Sequence, residues 1–334
     1  MESQLYRVSL DGGPIERVTK EPGTHAPVVS ADCEHFIDVQ SNLRRPPITT
    51  LRDRTDKLVA KLDDAGDDPR VKEYSLAPPV LTEFKSRDGV SLHGAYYAPR
   101  LKDPHAKAPL IVMLYGGPHV QLIADSWALT ADLNARFLND RGFAVWKMDN
   151  RGSSRRGHAF EAALYHHMGT VEVRDQVDGV RFIAANRPEV DATRVGVTGG
   201  SYGGYMTLRC LTEAPEVFKS GVSVAPVVDW DGYDTCYTER YMGTPDNNKD
   251  GYQDSSVLSR VDRLKGRVLL VHGMIDENVH FRHTARLVTA LIAANKPFEL
   301  LPLPSERHSA RRAADRAYEA ERKAEFFART LGLN

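Results

Sequence analysis

Apolar residues recur along the first 60 positions in short alternating runs. Residues 5–10 alternate apolar and polar side chains and end at Asp11-Gly12-Gly13, a hairpin-type turn. Residues 15–19 read as the returning strand. Residues 35–40 and 48–52 read as two more, separated by Arg44-Arg45-Pro46-Pro47. Strand–turn–strand at this spacing predicts one four-stranded sheet, the repeat unit of a propeller blade of about 40–45 residues. A single such sheet is marginal on its own, and only one copy is present. Residues 57–70 are charged, close with Asp67-Asp68-Pro69 and read as a linker or exposed helix.

From residue 80 the pattern changes. Residues 81–85 and 90–97, divided by Arg87-Asp88-Gly89, form an antiparallel hairpin. Apolar strand-length runs then alternate with helical stretches. Strands are expected at 110–114, 143–148, 194–198, 221–225, 268–272 and 298–303. Helices are expected at 128–138, along the stripe Val173, Val177, Val180 and Ile183, at 202–213, at 281–294, and in a last segment ending near Leu331. Strands that are apolar throughout, alternating with helices, predict an α/β fold with a mostly parallel sheet covered on both faces. Chemistry in such sheets gathers at the carboxyl ends of the strands. The expected division is a small β module over 1–60 and one α/β domain over 61–334.

Bulk properties narrow the function little. The 334 residues are 41% hydrophobic and 27% charged, ordinary values for a soluble globular chain. Lys and Arg number 44 against 45 Asp and Glu, a net charge of −1. That gives no electrostatic reason to expect nucleic acid or an anionic membrane. No apolar run approaches the roughly 20 residues of a bilayer span, and Met1-Glu2-Ser3-Gln4 has no signal-peptide character. Cys33, Cys210 and Cys236 are scattered and odd in number, so they read as ordinary thiols and lean towards a reducing compartment.

Candidate chemistry is sharper. Gly199-Gly200-Ser201-Tyr202-Gly203 fits G-x-S-x-G and lies between an expected strand and an expected helix, the context of a nucleophile elbow. No G-x-G-x-x-G or Walker lysine accompanies it, which sets aside a phosphate loop. In this fold the acid and then the histidine follow the serine in the chain. Asp276, just past strand 268–272, fits the acid. Asp149 ends a strand but precedes the serine, and Asp229, Asp231 and Asp234 sit in an insertion. His308, in the loop after the last strand, fits the base. His280 and His283 resemble a metal pair, but no H-E-x-x-H and no third ligand accompany them, so no metal and no cofactor are expected. The backbone N–H of Tyr202 is one candidate oxyanion donor. The loop Tyr115-Gly116-Gly117-Pro118 is the other, through Tyr115, which also fits a packed tyrosine at a turn. Tyr233, Tyr237 and Tyr241 stand at helical i, i+4 spacing, the mark of a packing stripe.

These motifs together resemble the dipeptidyl-peptidase IV branch of the prolyl oligopeptidase family. The likeness rests on Tyr-Gly-Gly-Pro at 115–118, Asn-Arg-Gly-Ser-Ser-Arg-Arg-Gly at 150–157 and Ser-Tyr-Gly-Gly at 201–204. It rests equally on Tyr-Thr-Glu-Arg-Tyr-Met-Gly at 237–243, His-Gly-Met-Ile-Asp-Glu-Asn-Val-His-Phe at 272–281 and Glu-Arg-His-Ser at 306–309. It implies an α/β-hydrolase fold, a serine peptidase with a Ser201–Asp276–His308 triad, and an oxyanion hole of Tyr115 and Tyr202. It also implies a proline-accepting S1 pocket from Val224, Val227, Trp230, Tyr233, Tyr237 and Asn278. By the same resemblance, residues 1–60 are the remnant of the last blade of a propeller that holds the substrate's amine elsewhere. The expected partners are a peptide substrate and a second copy of the chain in a homodimer. Gly200 departs from the family, which usually has tryptophan before the serine. A carboxylesterase with the same triad and a non-catalytic hydrolase module stay open as alternatives.

Overall fold

The computed structural model describes residues 1–74, 76–103 and 105–333. The chain forms two compact units, one of Met1–Leu81 with Ile123–Leu133, the other of Thr82–Leu122 with Asn134–Asn334. Residue 60 lies inside a strand of the first unit.

In the first unit, β1 (Tyr6–Arg7) pairs only with β2 (Glu16–Arg17). The four-stranded antiparallel sheet is built instead from β3 (Thr24–Val29), β4 (His35–Asn42), β5 (Arg45–Asp53) and β6 (Leu58–Asp64), in that order. Two strands expected in this sheet, 5–10 and 15–19, are therefore replaced by β3 and β6. Both are edge strands, and that explains the misreading. Pro27 interrupts the pattern of β3, and an edge tolerates a missing N–H. β6 is charged and largely exposed, so it resembles a linker. The buried face of β4 is polar on alternate positions, with Phe36, Asp38 and Gln40 inside. There His25 and Asp38 form a buried pair at 2.6 Å, Nδ1 to Oδ2, and His25 Nε2 reaches the Glu21 carbonyl at 3.0 Å. With an acceptor at each ring nitrogen, the site favours the doubly protonated imidazolium. Burial acts on it first and downward, but Asp38 and the Glu21 carbonyl outweigh that and hold it above its ordinary 6.5.

The second unit is built on an eight-stranded sheet. Its strands are β7 (Val80–Lys85), β8 (Ser91–Tyr97), β9 (Ala108–Met113), β10 (Ala144–Asp149), β11 (Val190–Gly200), β12 (Phe218–Val224), β13 (Arg267–Gly273) and β14 (Glu299–Leu303). The order is β14-β13-β12-β11-β9-β10-β8-β7, parallel from β10 to β14 and antiparallel at β10–β8. This is the mostly parallel sheet of an α/β hydrolase. Every residue of β10 is buried, which is why the run carries no alternation.

Helices cover both faces. They include α1 (Leu133–Asp140), α2 (Val171–Asn186), α3 (Tyr202–Glu213), α4 (Thr235–Met242), α5 (Arg282–Ala293) and α6 (Ala313–Leu331). Alternation along β12 fixes which lies where. A side chain at Gly221 would strike Leu211 and Thr207 of α3, whereas Ser220 hydrogen-bonds Thr330 of α6 at 2.7 Å. No helix among the described residues is long and apolar enough to cross a membrane.

Candidate active site

The sharpest backbone feature of the second unit is at the end of β11. Ser201 has φ 60° and ψ −120°, a strained conformation for a residue with a side chain. It is held on both sides, its N–H donating to Val224 C=O at 2.9 Å and its C=O accepting from Tyr205 N–H at 3.0 Å. The strand and helix close tightly around it. A Cβ at Gly199 or at Gly203 would stand 2.4 or 2.6 Å from the carbonyl oxygen of Leu114, so only glycine fits at either position. The serine thus caps the N-terminus of α3, where backbone N–H groups and the helix dipole favour negative charge.

Asp276 lies in the turn after β13 with its side chain fully buried. Four donors converge on it. His308 Nδ1–H donates to Oδ2 at 2.8 Å, His272 Nε2–H to the same oxygen at 3.1 Å, and the N–H groups of Asn278 and Val279 to Oδ1 at 2.9 and 3.0 Å. Burial is the largest influence on this carboxyl and acts upward. The bonds from His272, His308 and Asn278 overcome it, so the group lies far below the usual carboxylate range. His272 also faces the Val279 carbonyl through Nε2 at 2.8 Å, and Thr284 Oγ1 through Nδ1 at 2.7 Å. Two acceptors at Nε2 put the proton there, and the Thr284 hydroxyl supplies the donor for Nδ1. The role of His272 escaped the sequence reading, although its place at the carboxyl end of a strand, four residues before Asp276, was a usable signal.

Ser201 and His308 line one cleft of about 670 Å³, which Tyr115, Asn278 and Val224 also border. Tyr115 is half-buried with its ring 6.0 Å from that of Tyr202. Its phenol is raised, first by burial and next by Tyr233, while the Ser201 hydroxyl pulls the other way. The Tyr115 loop is fixed from behind, because buried Asn150 donates to Gly116 C=O at 2.9 Å and Gln176 donates to Asn150 at 2.9 Å. The Tyr202 side chain turns inward, donating its hydroxyl to Glu172 at 2.7 Å. Glu172 is fully buried and also accepts from Gly169 and Thr170 N–H at 2.8 and 3.0 Å. Burial, its largest influence, holds this carboxyl above the ordinary glutamate value. Glu172 carries no sequence signal of its own, and Asn150 opens the motif at 150–157 without that motif revealing its bond to Gly116.

The residues expected to form S1 divide. Trp230 stacks on Tyr237 at 6.1 Å and meets Tyr233 at 6.0 Å and Tyr202 at 5.4 Å. Tyr233 donates its hydroxyl to Asn278 at 2.8 Å. Val227 is buried in the core, and Val224 lines the cleft shared with His308. The other candidates have separate tasks. Asp149 accepts from Leu122 N–H, Asp229 pairs with Arg286 at 2.9 Å, and Asp234 caps α4. His283 is buried between Gly232 and Val228, and burial lowers it to about 4, so it is a neutral core residue.

Residues 129–334 match the profile of the prolyl oligopeptidase family. Dipeptidyl peptidase 8 of Homo sapiens is 37% identical over 329 residues, covering 93% of this chain and 36% of that protein. Dipeptidyl peptidase family member 1 of Caenorhabditis elegans is 41% identical over 211 residues, 62% of this chain and 26% of that one. The crystal structure of Porphyromonas gingivalis dipeptidyl peptidase 4 superposes with a TM-score of 0.90 at 31% identity, covering 99% of this chain and 46% of the other. The chain therefore spans 36% of the length of its human relative. With sheet order, elbow and sequence in agreement along its length, the chain belongs to the prolyl oligopeptidase family.

Proposed function

We propose that this chain is a serine peptidase of dipeptidyl-peptidase type that hydrolyses peptide bonds after proline. The observation that carries the reading is the buried Asp276 accepting from His308 Nδ1, with His308 bordering the cleft that holds the strained Ser201. In this reading Ser201 Oγ attacks the carbonyl carbon and its proton passes to His308 Nε2. The tetrahedral oxyanion is held by the Tyr202 N–H and the Tyr115 hydroxyl. The C–N bond then breaks as His308 returns the proton to the leaving amine, and water repeats the cycle on the acyl-serine. Asp276 orients His308 and stabilises the imidazolium without taking its proton.

Val224, Val227, Trp230, Tyr233, Tyr237 and Asn278 are assigned to the S1 pocket, and of these Val224 and Asn278 line the cleft that holds Ser201. An aromatic wall suits the flat, apolar proline ring, which needs no hydrogen-bond partner. The four-stranded sheet supports reading the N-terminal segment, residues 1–60, as a propeller blade attached to a catalytic domain over 61–334. The test compares a Gly-Pro amide with a p-nitrophenyl ester, alongside fluorophosphonate labelling of the chain and of Ser201→Ala. Labelling that persists in Ser201→Ala overturns the nucleophile. Ester hydrolysis with no Gly-Pro cleavage overturns the peptidase assignment.

A further inference from the structure

The segment that carries His308, between β14 and α6, is irregular from residue 304 to residue 312. Main-chain bonding stops short of the histidine. Leu303 C=O accepts from Met274 and Glu306 N–H at 3.0 and 3.2 Å, and Glu306 C=O accepts from Ile275 N–H at 3.3 Å. Among the described residues, no backbone–backbone hydrogen bond then reaches residues 307–310. A side chain closes the loop instead. Glu306 is buried, and its carboxylate accepts from Arg311 N–H at 2.9 Å and Arg312 N–H at 3.3 Å, five and six residues further on. His308 lies inside the ring this makes. Asp315, in the first turn of α6, hydrogen-bonds the same carboxylate. The Arg311 N–H and then Asp315 hold Glu306 below the ordinary glutamate value, and the bond to Glu306 holds Asp315 above the ordinary aspartate value. Where the two share a proton, it lies on Asp315.

The main chain of Glu306 meets the other catalytic loop, since Ile275 immediately precedes Asp276. A Cβ at Gly273, the last residue of β13, would stand 2.4 Å from the Glu306 carbonyl oxygen and 2.0 Å from that of Arg307. The loop therefore rests on the strand end that leads into Asp276. We infer that Glu306 is a positioning residue, its carboxylate fixing the loop that aims His308 and its carbonyl tying that loop to the Asp276 turn. The inference rests on the reading of His308 as the base. Among the described residues the His308 ring makes one hydrogen bond, Nδ1 to Asp276 at 2.8 Å. One bond anchors a point of the ring and leaves the direction of Nε2 to the backbone that carries it. The other ties on the loop are exposed: Arg307 pairs with Glu277 at 2.7 Å, and Arg316 donates to Arg311 C=O at 2.8 Å. Exposed pairs contribute little, whereas N–H donors to a buried carboxylate make charge-assisted bonds.

The test is the rate at which a fluorophosphonate labels Ser201, with steady-state kinetics on a p-nitrophenyl ester, in Glu306→Gln, Glu306→Ala and His308→Ala. Misplacing a reacting group by about 1 Å can cost on the order of a hundredfold. Glu306→Ala loses every acceptor, so labelling and kcat should both fall by about tenfold to a hundredfold, with KM nearly constant. Glu306→Gln keeps one acceptor oxygen in the same space and should recover part of that rate. Parent labelling in Glu306→Ala, or in Glu306→Gln where the alanine variant is unfolded, overturns the inference, and an accompanying loss of Tm would make Glu306 structural only. A raised KM at parent kcat overturns it as well. His308→Ala separates the two ways of failing. Labelling at the parent rate there removes the base reading and this inference with it. An inert His308→Ala beside parent-like Glu306 variants keeps the base and removes only the positioning role.

Discussion

His272 and His308 donate to the same oxygen of Asp276, at 3.1 and 2.8 Å. Both histidines line the cleft, His272 fully buried and His308 partly exposed. His272→Ala removes a donor to a buried carboxylate, an interaction worth about 1.5–3 kcal/mol. The expected result is a kcat lowered by about tenfold to a hundredfold with KM little changed, read from steady-state kinetics on a Gly-Pro amide. A variant with parent kcat and a lowered Tm would make His272 purely structural.

Ser201→Ala and His308→Ala should each abolish hydrolysis while circular dichroism stays native. Their double variant should be barely slower than either single one, because residues of one catalytic unit do not add. Near-parental turnover in His308→Ala would move the base to another residue, with His280 next to examine. His283 is excluded by its burial between Gly232 and Val228.

Tyr115→Phe keeps the ring and deletes the hydroxyl. An oxyanion donor predicts a kcat lower by about 10²–10³ with KM nearly constant. Unchanged kcat together with a lower Tm would assign Tyr115 to packing against Tyr202.

Tyr202→Phe tests the support behind the elbow. It takes one of three donors from buried Glu172, and a buried group left under-satisfied costs about 1–3 kcal/mol. Urea denaturation should show that loss, with fluorophosphonate labelling retained, since the backbone N–H of residue 202 remains. Stability equal to the parent would show that Glu172 needs only its two backbone donors.

The N-terminal unit should respond to pH through His25. Its folded value is raised above the unfolded one, so the stability it contributes is complete below the unfolded value and is lost as pH rises through the folded value. Melting curves across that window should show the first unit weakening towards alkaline pH, and His25→Gln should flatten the trend. A trend of the same size in His25→Gln would assign the effect to other groups.

What could be read in advance followed local pattern. The parallel strands announced themselves as apolar runs, and Gly199-Gly200-Ser201-Tyr202-Gly203 is local enough that chain order alone located Asp276 and His308 as candidates. β3 and β6 were hidden because an edge strand tolerates Pro27 and charge. The roles of His272, Asn150 and Glu172 were hidden for a different reason, although the first two open motifs at 272–281 and 150–157. Their importance lies in partners distant in the chain or in a turn whose geometry is tertiary, and a buried polar side chain looks in sequence like an exposed one.

Gly199, Gly200 and Gly203, beside Ser201, leave a lineage unequal room to diverge. Substitutions at 199 and 203 collide with the Leu114 carbonyl, and selection would remove them together with the fold. Position 200 meets no such obstacle, so one codon beside the nucleophile is free to drift. The width of the space beside Ser201 could therefore change in a single mutational step, with the tight contact of strand and helix left as it is.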